Sequence, residues 1–225
     1  MRRPPLVPTW SSYARLQYRT ARASLAILRR HLGTREALRT AASVLLRQLR
    51  GDPWRALSPP GDPKEADSRL QSGPAIVAYR YLCEKLGQPA ALAITAELVA
   101  AGALVFLPFL VPTIALAESR LWTDDQRREL ISQIVGRFPN ASCDAVVADA
   151  SGFSFHIRAC AFVTHATALG HPELAATFCG ADAAFFARQL PELIFTRPTT
   201  LAANGSSCHF CFRVVDAPPA AERAS

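Results

Sequence analysis

The chain has 225 residues, half of them hydrophobic and 19% charged, with a formal net charge of +7. That length and apolar share suit one folded core and exclude global disorder. Six scattered cysteines are too few for a disulfide scaffold, and the start lacks the apolar core of a secretory signal, so a cytoplasmic protein is expected.

The charge is uneven, because residues 1–50 hold eleven arginines and one acid, Glu36. Such a segment meets solvent, an anionic membrane, an acidic partner or nucleic acid. No nucleic-acid motif accompanies it, and nucleic acid is not expected as a partner. The spacing of Tyr13, Leu16, Leu25, Leu28 and Leu32 predicts an amphipathic helix from Trp10 to Leu32. Thr34 can cap a second helix from Arg35 to Arg50, whose Leu38, Ala41, Ala42, Leu45 and Leu49 form an apolar face expected to pack on the body. Residues 1–57 therefore read as a basic helical segment.

The stretch 58–74, with its Pro and Gly among polar residues, reads as a linker or loop. A helix should follow from Ala75 to Leu86, ended by Gly87 in a left-handed cap. Leu98 to Ala117 carries no charge over twenty residues, so its length admits a membrane span. Pro108 and Pro112 favour a buried central helix broken near Pro108. Membrane contact is thus open through 98–117 or the basic N-terminus.

Thr123 with Gln126 forms a capping box ahead of a helix from Gln126 to Phe138. Then the period becomes two. Cys143 to Val147 and Phe153 to Ile157 alternate around the turn Asp149-Ala150-Ser151-Gly152, which predicts a β-hairpin. Helices from Ala161 to Leu169 and Pro172 to Arg188 follow, then a second hairpin near Leu193 to Thr200 and Ser207 to Val215 around Ala203-Asn204-Gly205-Ser206. The fold class is α+β, N-terminal helices followed by an antiparallel sheet of about four strands with crossover helices. The α+β domain spans 75–217, and 218–225 reads as a flexible tail.

Chemistry-bearing residues gather in Phe153 to Arg213, which holds four of the six cysteines and four of the five histidines. Strand parity puts Cys208, Phe210 and Phe212 on one face and His209, Cys211 and Arg213 on the other, so Cys208 and Cys211 cannot chelate one metal within a regular strand. Cys179 and Asp182 lie three apart on one helical face, and with Cys160 they make a pocket of thiols and a carboxylate. Arg158, Arg197, His165 or His171 could favour a thiolate there. Each cysteine can equally be a small buried hydrophobe.

The run from Cys160 through Cys179 and Asp182, followed by Phe195-Thr-Arg197-Pro-Thr-Thr200-Leu-Ala-Ala-Asn-Gly205-Ser-Ser-Cys208, resembles the C-terminal signature of the L-2-amino-thiazoline-4-carboxylic acid hydrolase family. That signature ends in Cys-Asp-Phe-Arg, where this chain has Cys208-His209-Phe210-Cys211. The resemblance implies a hydrolase acting on cyclic amidine C–N bonds, opening a small thiazoline or related C=N heterocyclic carboxylate. Cys160, Cys179 and Asp182 are then the catalytic candidates, and Arg197, Thr200, Gly205 and Cys208 the substrate-binding ones. Arg197 would hold the substrate carboxylate, Asp182 the amidinium or a water, and Cys160 or Cys179 would be nucleophile or metal ligand. No cofactor is certain; a divalent metal is left open. The alternative is a non-catalytic small-molecule-binding α+β module, membrane-associated through the segments above.

Overall fold

The computed structural model describes residues 10–112 and 121–215, with side chains from residue 14. Helix α1 runs Trp10–Leu49 but is interrupted at Gly33, whose φ of 76° and ψ of 165° break the helix into the two halves expected. Glycine takes that positive φ without a Cβ clash. Helix α2, Pro63–Leu86, starts twelve residues before its expected origin at Ala75, so most of the proposed linker is helical. The cause is a strong start. Asp62 accepts a hydrogen bond from the Glu65 backbone N–H, a proline sits in the first turn, and Glu65 faces the positive helix end. The small residues Ser68, Ser72 and Gly73 are then buried against neighbours.

Helix α3, Gln88–Leu110, begins ten residues before Leu98 and contains Pro108 in its last turn. Gly87, with φ of 80°, ends α2 and opens α3 at the same residue. Residues 113–117 of the expected apolar helix lie outside the described residues. By length and composition α3 could cross a membrane, and it packs against α1, α2 and the later helix Leu174–Gln189. Helix α4, Asp124–Val135, opens with the expected capping box, Thr123 and Gln126 each bonding the other's backbone.

Strands β1, Ala141–Asp149, and β2, Gly152–Cys160, form the first hairpin; α5, Ala161–Ala168, and α6, Leu174–Gln189, follow; β3, Leu193–Thr196, and β4, Cys208–Val214, come last among the described residues. The sheet order is β1-β2-β4-β3 and every pair is antiparallel. This is the α+β architecture expected from the change of period. Two shifts of register interrupt β1, and Ala145 there takes a φ of 52°.

Two apolar clusters hold the fold. One joins Leu28 and Ala37 of α1 to Tyr79 and Leu82 of α2, Ile94 of α3, and Leu174 and Phe178 of α6. The other sets Ile131 and Ile134 of α4 and Phe185 and Phe186 of α6 against Phe155, Phe210 and Phe212 on one face of the sheet. Stacked Phe155–Phe210 and Phe153–Phe212 rings, 5.1 and 4.4 Å apart, pin the register of β2 on β4.

The first half of α1 buries Leu16 and Leu28 as expected, but the face that its second half buries is not the one its leucines predict. Ala37 and Thr40 are fully buried, Thr40 returning its hydroxyl to the Glu36 carbonyl at 2.9 Å, while Leu38, Ala42, Leu45 and Leu49 face outward. Small residues let the α1 backbone approach α2 closely, which outweighs the transfer of the larger leucines.

His165 is 3% exposed, held 3.2 Å from the Ser72 hydroxyl and edge-on to Trp54 at 4.9 Å. Burial, helped by Arg69, keeps its imidazole below the usual histidine range. The unfolded chain therefore binds a proton that the folded chain resists, and stability is full above about pH 6.5, the unfolded value. It falls as the pH drops toward the folded value. Thermal denaturation from pH 7.5 to 5 should show a fall in Tm, and His165→Gln should flatten it.

Candidate active site

Helix α6 places Cys179 and Asp182 on one face, one turn apart, and β3 delivers Arg197 to them immediately past Thr196. Arg197 donates Nη1–H to Asp182 Oδ2 at 3.0 Å and Nη2–H to the Cys179 carbonyl at 2.8 Å. The guanidinium also lies over the Phe195 and Phe210 rings at 5.7 and 5.1 Å. Its Nε is buried with no hydrogen-bond partner. The first residue of β4 brings Cys208 to the same place, buried, with its sulfur accepting a hydrogen bond from the Leu201 N–H at 3.2 Å and another from the Cys179 thiol.

These contacts divide the two sulfurs. The thiol hydrogen bond from Cys179, assisted by the Leu201 amide and the Arg197 charge, outweighs burial and brings Cys208 down to about 6. Cys179 is pushed up, first because it supplies that hydrogen bond and then by burial. The two sulfurs are thus set apart, Cys208 drawn toward the thiolate and Cys179 toward the thiol. Burial raises the Asp182 carboxyl to about 6 against the pull of Arg197.

Cys160 ends β2 and stands at the start of α5, where the Phe162 and Val163 amides point to its sulfur and Asn140 Nδ2 lies 3.8 Å away. Burial dominates and raises its pKa. It is near enough to Cys208 to feel its charge. Thr200 and Gly205 close the turn that carries Leu201. The Thr200 hydroxyl accepts from the Ala203 N–H at 3.1 Å, Gly205 N–H donates to the Thr200 carbonyl at 2.9 Å, and a Cβ on Gly205 would come within 2.8 Å of that same oxygen.

The other cations considered for the thiols stand elsewhere. Arg158 pairs with Asp144 at 2.9 Å, both about half exposed. His165 is in the helical core, and His171 lies beside Tyr79 and Glu173. Cys211 and His209 face away from Cys208 as parity requires; His209 stacks on His156 with ring centres 4.2 Å apart, and its Nε2 is 3.3 Å from the Cys211 sulfur. Among the described residues, no three His, Cys, Asp or Glu side chains converge in an arrangement able to hold a metal ion.

A largely apolar cavity of about 150 Å³ lies between α4, α6 and the sheet, lined by Trp122, Phe153, Phe155, Phe186 and Phe212 among others. None of the seven candidate residues lines it. The cysteine cluster sits at the opposite end of β4. It was the Leu201 amide and Asn140 that sequence reasoning missed, since neither residue type marks a site by itself.

No curated protein and no solved structure matches the chain. The segment from residue 114 to 212 matches the family model described as L-2-amino-thiazoline-4-carboxylic acid hydrolase, so the signature read from Cys160 to Cys208 falls within that family's own match.

Proposed function

We propose that this chain is a thiol-dependent hydrolase that opens a small thiazoline or related C=N heterocyclic carboxylate. The observation that carries the reading is the neighbouring Cys179 and Cys208 sulfurs, shifted in opposite directions beside the Asp182–Arg197 ion pair, inside the segment that matches the hydrolase family.

Cys208 is 3% exposed and Cys179 is only half-buried, so Cys179 is the sulfur a substrate reaches and Cys208 the base beside it. A protonated cyclic amidine binds the ionised Asp182. The Cys179 sulfur attacks C2 as its proton passes to Cys208, and the C=N π pair moves onto nitrogen. The ring C2–S bond then breaks, the leaving sulfur taking the proton back from Cys208. The ring sulfur leaves in preference to the ring nitrogen because it is the better leaving group. Water attacks the resulting isothiouronium carbon, Cys179 departs, and a carbamoyl product with a free thiol remains. Arg197, already spent on Asp182 and the Cys179 carbonyl, fixes the carboxylate rather than offering an open fork.

The test is turnover of 2-aminothiazoline-4-carboxylate by the full chain, followed as loss of ring absorbance and appearance of thiol, with and without EDTA. Turnover should depend on the Cys208 thiolate and the Asp182 carboxylate. Both forms are present above about pH 6 and lost below it, so kcat/KM should rise through pH 6 to a plateau. A rate that is flat from pH 5 to 8 would contradict this assignment.

A further inference from the structure

The second half of α1 carries an apolar stripe that the fold leaves uncovered. Leu38, Ala42, Leu45, Leu46 and Leu49 are spaced i, i+4, i+7, i+8 and i+11, one face of a helix, and all are exposed. Leu45 is 57% and Leu49 75% exposed. The opposite face, Ala37 and Thr40, is the one that packs. Arg35, Arg39 and Arg50 are exposed and lie along one flank of the stripe, Arg39 in a 3.3 Å surface ion pair with Glu36. They belong to the segment in which eleven arginines face a single acid.

From this stripe and its arginine flank, we propose that α1 docks the protein on an anionic lipid bilayer, lying in the plane of the interface with the leucines inserted and the arginines on lipid phosphates. A helix that spans a membrane is apolar all round; this one is apolar on one arc and cationic beside it, the pattern of an interfacial helix. A second copy fits less well. It would bring the same arginine flank toward its own image, and a stripe about 16 Å long on one helix falls short of the ~800 Å² per partner of a stable interface. The inference is independent of the proposed reaction, since no residue of the thiol site takes part.

Flotation of the full chain with vesicles tests it. The protein should float with phosphatidylcholine vesicles containing phosphatidylglycerol and stay behind with phosphatidylcholine alone. Leu45→Glu with Leu49→Glu should lower the vesicle partition by about tenfold or more, and Arg35→Gln, Arg39→Gln and Arg50→Gln together by about tenfold. These positions are solvent-facing, and circular dichroism of each variant should match the parent. Absence of flotation with anionic vesicles overturns the proposal, as does flotation that the leucine substitutions leave unchanged. A concentration-dependent dimer that Leu45→Glu with Leu49→Glu dissolves, without vesicle binding, assigns the stripe to a second copy and overturns it as well.

Discussion

Cys179→Ala should abolish turnover of 2-aminothiazoline-4-carboxylate and Cys208→Ala should lower kcat by about 10² to 10⁴, while Cys160→Ala should keep most of it. The first variant lacks the attacking sulfur. The second keeps that sulfur but removes the neighbour that takes its proton, which is the usual scale for loss of a positioned base. Cys160 has neither role in this arrangement, because burial keeps it a thiol and its hydrogen bonds come from Asn140 and the α5 amides. The three variants are measured for steady-state rates on protein whose Tm is unchanged. Equal losses for Cys160→Ala and Cys179→Ala would move the nucleophile to Cys160.

Arg197→Leu should destabilise the fold by about 3 kcal/mol as well as silence the proposed site. The side chain is 12% exposed, and removing it strands the Asp182 carboxylate and the Cys179 carbonyl at once. Breaking a buried ion pair from one side costs about 3 to 5 kcal/mol, and the lower end applies because Asp182 keeps 28% of its side chain in solvent. Urea denaturation above pH 7 reads the loss. Arg197→Leu combined with Asp182→Leu should recover much of the stability and none of the activity, which separates the structural part of the ion pair from the chemical part.

Local signals reported local structure well. The Thr123–Gln126 box, the first hairpin turn and the alternation of Cys208, Phe210 and Phe212 with His209 and Cys211 were legible, because each depends on neighbours within a few residues, whereas the second hairpin has a shorter first strand, Leu193–Thr196, and a 3-10 turn at Leu201–Ala203 in its connection. The proline-rich stretch 58–74 misled because Pro63 sits at a helix start, where its missing N–H costs nothing, and Asp62 caps the same turn. In the second half of α1 the more hydrophobic stripe was mistaken for the buried one. Ala37 and Thr40 bury less area per residue but permit a closer helix contact, and periodicity alone does not rank those two gains. At the site, the residues were legible and the relations were not. Cys179 and Cys208 are far apart in sequence, and only the fold brings them together, drawing one sulfur toward the thiol and the other toward the thiolate.

The pairing of Cys179 with Cys208 is the core of the functional account, and a rapid-quench experiment tests it most directly. Wild-type protein mixed with excess 2-aminothiazoline-4-carboxylate, quenched in acid and mapped by peptide mass, should carry the opened substrate on the peptide containing Cys179, with amplitude rising through about pH 6. Turnover accompanied by an adduct on Cys160, or continuing in Cys179→Ala at the wild-type rate, would contradict it.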